Sequence, residues 1–251
     1  ALDGFPVSGF WSIPFIGLSP KNGAPLFAVM DQVGGEMQKV SGSLLDYLVY
    51  SGDSEPRVSG GISTTVRYKR FTLNAMFNYQ LGHYKRLNPF ITSSTNGMLS
   101  IPGADVNAST ELLNRWQQPG DETRTRIPAL STRDEDVSQY LPDNSLSLGN
   151  YNTVYRYSLY NRSTERVVSA SHLRCNRISL NYQTKIPRIA EINLGITVTN
   201  PFIIKNHRLG DQDPEVMSMN ADSYTPTMKR QQNYSISAEF IFTESEKPSL
   251  E

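Results

Sequence analysis

Between residues 71 and 81 the chain alternates without a break. Phe71, Leu73, Ala75, Phe77, Tyr79 and Leu81 fall on one side, and Thr72, Asn74, Met76, Asn78 and Gln80 on the other. Successive side chains of a β-strand point to opposite faces, so this stretch carries one apolar and one polar face. About eleven residues is the length a tilted strand needs to cross a bilayer. Strands of soluble domains more often stop near about five or six. Residues 233–242 repeat the pattern: Tyr234, Ile236, Ala238, Phe240 and Phe242 share a face opposite Ser235, Ser237 and Glu239, with Ile241 the exception. An apolar face that starts at Tyr and ends in Phe suits a strand between the two aromatic girdles of a membrane barrel. Taken alone, it suits a half-buried strand of a soluble sandwich equally well.

The order of the segments decides between these. Ile62, Thr64, Val66 and Tyr68 precede a very tight turn at Lys69-Arg70. Ile178, Leu180 and Tyr182 share a face, and Ile192, Leu194, Ile196 and Val198 alternate with Asn193, Gly195 and Thr197. An aromatic segment at 5–15 contains two prolines, Pro6 and Pro14, which suit an edge or irregular strand. Strands are expected near 5–15, 58–68, 71–85, 171–182, 190–199 and 233–242, with long loops at 16–57, 87–168 and 200–232. Residues 43–50 suit a short helix or a strand. One short loop helix is expected around 107–116, capped by Asn107 or Ser109 and ended at Pro119-Gly120.

Connections therefore alternate long, short, long, short, long. A sandwich has no reason to keep its long loops at one end, whereas a membrane barrel keeps tight turns inside and long loops outside. The motif Asn88-Pro-Phe-Ile91 recurs as Asn200-Pro-Phe-Ile203, both where a strand is expected to leave toward a long loop. The expected fold is all-β, an antiparallel up-and-down transmembrane β-barrel with long extracellular loops.

Composition narrows the function classes. The chain has 24 basic and 24 acidic residues, which gives no argument for nucleic acid. A mean hydropathy of -0.42 and the lack of a long apolar run exclude a transmembrane helix but not a barrel, whose strands are apolar only at alternate positions. The single cysteine, Cys175, forms no internal disulfide. His83, His172 and His207 lie far apart without metal-ligand spacing. The carboxylates of 211–215 lack the glycine and later Glu of a calcium loop and read as a solvated loop. No catalytic constellation, metal site or cofactor motif stands out, so an enzyme is not expected. The chain starts at Ala1 with no initiator Met or leader, and reads as a mature product or a fragment.

Several pieces, in order, carry a resemblance. They are 15–27 (FIGLSPKNGAPLF), 55–62 (EPRVSGGI) with 68–71 (YKRF), 114–123 (NRWQQPGDET), 170–182 (ASHLRCNRISLNY), Asp213-Pro-Glu215 and the terminal aromatic strand. Together they resemble the C-terminal portion of the SusC/RagA family of TonB-dependent outer-membrane transporters of Bacteroidetes. The resemblance implies a barrel of about 22 strands, with an N-terminal plug and TonB box, importing glycans or peptides in the cell outer membrane. It implies as partners that plug and the remaining strands of the same transporter, TonB, the lipid bilayer and a SusD-like surface lipoprotein acting as a lid. Residues 1–242 are then the C-terminal part of the barrel and 243–251 a tail, partly cloning-derived or native. Six or so strands are too few to close a membrane barrel, for which about eight is the usual minimum.

Within this reading Asn74, Asn78, Gln80, Arg177, Asn193, Thr197 and Glu239 are the candidates for the lumen and substrate path. Arg115 and Trp116 are candidates for holding the lid lipoprotein or for packing the loop onto its own barrel. Phe240 and Phe242 resemble the C-terminal aromatic signal used for barrel insertion. The alternative is a soluble β-rich carbohydrate-binding module whose aromatics stack on sugars. That module would pack Phe71, Phe77 and Phe240 into one closed core.

Overall fold

The computed structural model describes residues 4, 6–28, 32–33, 36–37, 48–89, 109–130, 138–140, 153–187, 190–216 and 230–242. The expectations for 43–47 and for the tail 243–251 lie outside them. The strands, in chain order, are β1 (Gly9–Ser12), β2 (Phe15–Leu18), β3 (Pro25–Phe27), β4 (Gln32–Val33), β5 (Glu36–Met37) and β6 (Val49–Asp53). There follow β7 (Val58–Tyr68), β8 (Phe71–Leu81), β9 (Tyr84–Arg86), β10 (Ser138–Tyr140), β11 (Thr153–Tyr155), β12 (Val167–Ser169), β13 (His172–Ile186), β14 (Ala190–Lys205) and β15 (Asn233–Phe242). One α-helix, α1, spans Arg156–Asn161.

Two compact units result. The sheet unit comprises Pro56–Gly82, Ala170–His207 and Met228–Glu251; the excursion unit comprises Ala1–Glu55, His83–Ser169 and Arg208–Thr227.

The sheet unit is an antiparallel meander in the order β15-β14-β13-β8-β7. β7 and β8 join through the two-residue turn Lys69-Arg70, with Tyr68 opposite Phe71. Three residues, 187–189, separate β13 from β14, and Ile186 pairs with Ala190. Both connections lie at one end of the sheet. The two long excursions, β8 to β13 and β14 to β15, leave and return at the other end, as does the segment entering β7. Strand lengths of 11, 11, 15, 16 and 10 residues reach or exceed a bilayer span. The sheet is open: β7 and β15 each pair on one side only among the described residues.

Cross-strand partners share a face, so the register fixes which side chains stand together. Val66, Leu73, Leu180, Ile196 and Ile236 form one row, with Tyr68, Phe71, Tyr182, Leu194 and Ala238 in the next. Phe77 and Phe202 meet on the same side with ring centroids 6.3 Å apart. The ring of Tyr79 lies over Gly60, its partner on β7. A Cβ at Gly60 would sit 2.6 Å from the Tyr79 hydroxyl, so the missing side chain is replaced by the neighbour's ring.

The phase of β13 inverts at one point. Cys175 pairs with Phe77 and Arg177 with Met76, which leaves Asn176 as an extra, bulged residue. Leu173 and Cys175 therefore share the apolar face with Ile178, Leu180 and Tyr182, although they differ from them by an odd number of residues. Opposite the bulge, β14 bends through Asn200, which adopts a positive φ of 54°.

Several expectations are corrected. Residues 5–15 do not supply a strand to the sheet: β1 pairs with β6, and β2 with β3, because Pro6 and Pro14 interrupt a longer ladder. The strand expected over 71–85 ends at Leu81. Gly82 takes φ 79° and turns the chain, so Tyr84–Arg86 pairs with Val167–Ser169 instead. Strands expected to end at 182 and 199 run on to Ile186 and Lys205, because β13 and β14 keep pairing past the point where their apolar pattern ends. The helix expected around 107–116 is a 3-10 turn at Thr110–Asn114, with Ser109 Oγ accepting from Glu111 N at 3.3 Å. The α-helix lies instead at 156–161, in a stretch whose composition reads as loop. The Asn-Pro-Phe-Ile copies are not equivalent: Asn88 is buried in the excursion unit, whereas Asn200–Ile203 lies within β14.

Candidate functional site

The polar face of the sheet is built in rows. Gln80, His172 and Lys205 stand together at the excursion end, followed by Asn78 with Arg174 and then Met76, Arg177 and Thr199. Thr65, Asn74, Ser179, Thr197 and Ser235 form the next row, and Gln183, Asn193 and Glu239 lie nearer the turn end. All seven residues expected to line a path, namely Asn74, Asn78, Gln80, Arg177, Asn193, Thr197 and Glu239, thus share one face. Period two dictates this, because a strand sends alternate side chains to one side whatever its neighbours do.

Three hydrogen bonds run along these rows. Thr65 Oγ1 donates to Asn74 Oδ1 at 2.8 Å, Asn74 Nδ2 to Ser179 Oγ at 3.4 Å, and Asn193 Nδ2 to Glu239 Oε2 at 3.0 Å. Amides and hydroxyls offer both donors and acceptors, so this face can exchange hydrogen bonds with a neutral polar solute. His172, Arg174 and Lys205 join the same face near Arg177 and were not expected there. The bulge at Asn176 brings His172 and Arg174 into phase. The slip between Leu173/Cys175 and Ile178/Leu180 is its signature in the sequence.

The opposite face is apolar and open. Ile236 is 85% exposed and Phe242 74%. Phe71 and Phe240 are 46% and 55% exposed. A fully exposed side chain of this kind forgoes about 1.5–3 kcal/mol relative to full burial, and a half-exposed one proportionately less. A patch of this kind marks an interaction surface, whether for protein or for lipid.

The excursion unit has its own interior. Ile13, Phe15, Leu18, Phe27, Leu159 and Tyr160 are buried, and Leu87, Val168 and Leu209 form a second cluster. Phe15 meets Phe27 and Tyr160 edge-on. Burial pushes the Tyr160 hydroxyl far above the usual tyrosine range, so it stays a neutral donor, reaching Arg126 O at 2.9 Å.

Charged groups tie the segments of this unit together. Arg166, 1% exposed, donates to Glu111 Oε2 at 2.5 Å and to Asn88 O at 2.6 Å. Lys85 Nζ donates to the carbonyls of Asp213 and Val216. Glu165 accepts from both Arg126 and Arg208. Asp213 is buried, and its Oδ1 accepts from Glu215 N at 3.0 Å, so 211–215 is a packed turn rather than a solvated loop. His83, which lies within the strand expected over 71–85, is buried in the excursion unit. Among the described residues no group of three His, Cys, Asp or Glu side chains could hold a metal ion.

Trp116 is buried and lies against Gly23, while Arg115 donates to Leu112 O at 3.1 Å. Trp116 Nε1 donates to Glu122 Oε2 at 3.1 Å. Backbone and Trp116 hydrogen bonds to the carboxylate hold Glu122 below the usual value of 4.5. A carboxylate whose folded pKa is depressed contributes stability above its unfolded pKa and loses it as pH falls through the folded value. Tryptophan fluorescence is therefore expected to stay flat from pH 7 to about 4.5 and to change only below it. Glu122→Gln should remove that acid step; an unchanged step in the variant would assign it to another group.

No family model matches the chain, and no curated protein matches it. Solved structures do. The RagAB peptide transporter matches with a TM-score of 0.56 at 17% identity, over 94% of this chain and 22% of that one. The RagAB peptide importer matches in its "open-open" state with a TM-score of 0.55 at 18% identity, over 96% of this chain and 24% of the other. In its "closed-closed" state it matches with a TM-score of 0.55 at 18% identity, over 93% and 23%. At this identity the likeness is one of fold. The chain spans about a quarter or less of the chains it matches.

Proposed function

We propose that this chain is the C-terminal barrel portion of an outer-membrane, TonB-dependent nutrient importer of the SusC/RagA type. The observation that supports it best is the sheet itself. Five bilayer-length strands in meander order carry an exposed apolar face backed by an amide- and hydroxyl-lined polar face, with both short connections at one end. In this reading the apolar face meets lipid and the polar face lines the lumen, beside the plug and remaining strands of the same transporter. The turn end is periplasmic, and the long excursions are extracellular. Phe240 and Phe242 serve as the insertion signal, and TonB acts through the N-terminal region of the whole transporter.

The solved structures of similar fold are described as peptide transporters, which weights the cargo toward peptides over glycans. On the family resemblance, the partner of the excursions is a SusD-like surface lipoprotein.

A soluble carbohydrate-binding module is disfavoured by the exposure of Phe71 and Phe240, which it would need to bury in a closed core. Fractionation tests the proposal. The native protein is expected in the outer membrane, resisting extraction until detergent is added. Recovery as a monodisperse soluble monomer without detergent would sink it.

A further inference from the structure

The turn end of the sheet carries two cations on its apolar side. Lys69 and Arg70 form the whole of the β7-β8 turn. The Arg70 guanidinium reaches across to β13, where Nη1 donates to Thr184 Oγ1 at 3.2 Å and to Tyr182 Oη at 3.4 Å. Both acceptors belong to the apolar face: Tyr182 pairs with Phe71 and Leu194, and Thr184 with Ile192. The Arg70 main chain is fixed as well, its carbonyl accepting from Gln183 N at 2.9 Å. Lys69 Nζ sits 5.3 Å from the Tyr68 ring centroid, in the same aromatic row.

Two further observations indicate that these charges serve a ligand. Among the described residues neither Lys69 nor Arg70 has a carboxylate partner; the ion pairs join Arg126 and Arg208 to Glu165, Arg166 to Glu111 and Lys185 to Glu191. Lys69 also holds a positive φ of 53°, a turn position that glycine or asparagine fills at lower cost. A lysine kept there despite its backbone suggests a use for its charge.

We propose that Lys69 and Arg70 form a headgroup clamp for an anionic phospholipid. The inference rests on the barrel reading above. Tyr68, Phe71 and Tyr182 set the depth of the boundary between acyl chains and headgroups, as interfacial aromatics do. Arg70, already oriented by two hydroxyls, presents its remaining N–H groups to phosphate oxygens, and Lys69 supplies a second point charge. The partner is a lipid phosphate rather than dissolved phosphate, because both cations flank a face that only acyl chains would cover.

The test uses the complete transporter reconstituted in phosphatidylcholine vesicles containing trace spin-labelled phosphatidylglycerol or spin-labelled phosphatidylcholine. The fraction of motionally restricted label is read by electron paramagnetic resonance. The expected result is a preference for phosphatidylglycerol of about fivefold or more, reduced by salt. The K69Q/R70Q variant should lose it, while R67Q, which alters a cation on the polar face, should keep it. Inorganic phosphate at millimolar concentration should not abolish the preference; if it does, the site takes free phosphate and the lipid assignment is overturned. Equal restriction of both lipids by the wild type overturns the clamp but leaves the barrel standing. Restriction of neither lipid, with the protein soluble outside the vesicles, overturns the barrel itself.

Discussion

Gly23→Val is expected to unfold most of the excursion unit. Gly23 adopts φ +68°, a region that costs a residue with a side chain about 1–2 kcal/mol and a β-branched one more. A Cβ there would also meet the Trp116 ring at 2.4 Å (Cδ2), 2.5 Å (Cε3) and 2.7 Å (Cγ). Trp116 has little room to retreat. Its backbone N donates to Ile127 O at 2.9 Å, its indole is held by Glu122, and Ala129 N donates to Gly23 O at 3.1 Å. Overpacking adds about 1–3 kcal/mol to the backbone term, so the loss should reach about 2–5 kcal/mol. Thermal unfolding and protease cleavage within 109–130 would report it. The pairing is testable by coupling: Gly23→Val and Trp116→Ala should cost less together than the sum of the two alone. A melting temperature unchanged by Gly23→Val would refute this packing.

Ile196→Arg should cost about 2–4 kcal/mol in a bilayer, while Thr197→Arg, its immediate neighbour, should cost less than about 1 kcal/mol. Ile196 stands in the row of Val66, Leu73, Leu180 and Ile236, midway along the apolar face. In the proposed barrel, lipid there cannot hydrate a guanidinium, which must instead snorkel or drag water inward. Thr197 stands in the row of Asn74 and Ser179, where an added cation finds polar neighbours. The comparison is made by denaturant titration of the complete native protein refolded into phospholipid bilayers. Equal losses for the two variants would mean that the faces are misassigned.

Both predictions draw on different kinds of legibility. The faces of Ile196 and Thr197 follow from alternation alone, and the seven expected polar-face residues fall on one side as read. Trp116 was recognisable as an anchor, but its partner Gly23 lies far away in the chain and has no side chain to mark it. The clustering of His172, Arg174 and Lys205 with Arg177 was hidden by the bulge at Asn176, because a single extra residue reverses which parity faces inward. Residues 5–15 read as a sixth strand because aromatic alternation cannot say which ladder will accept it. The helix at 156–161 went unseen in a segment whose polar composition argues for loop, where tertiary packing of Leu159 and Tyr160 overrides propensity.

The sequence by itself determined the presence of the five sheet strands, the two faces of β7, β8, β14 and β15, and the alternation of short connections with long excursions. These are properties of period two and of local turn chemistry, which a strand carries with it. Only the tertiary structure decided the rest: β1 with β6, β9 with β12, Arg166 buried on Glu111 and Asn88, and Arg70 reaching Tyr182 and Thr184. Those partners are separated by tens to more than a hundred residues. A charge can be buried only where such distant partners complete its hydrogen bonds, and no local pattern records where they will be.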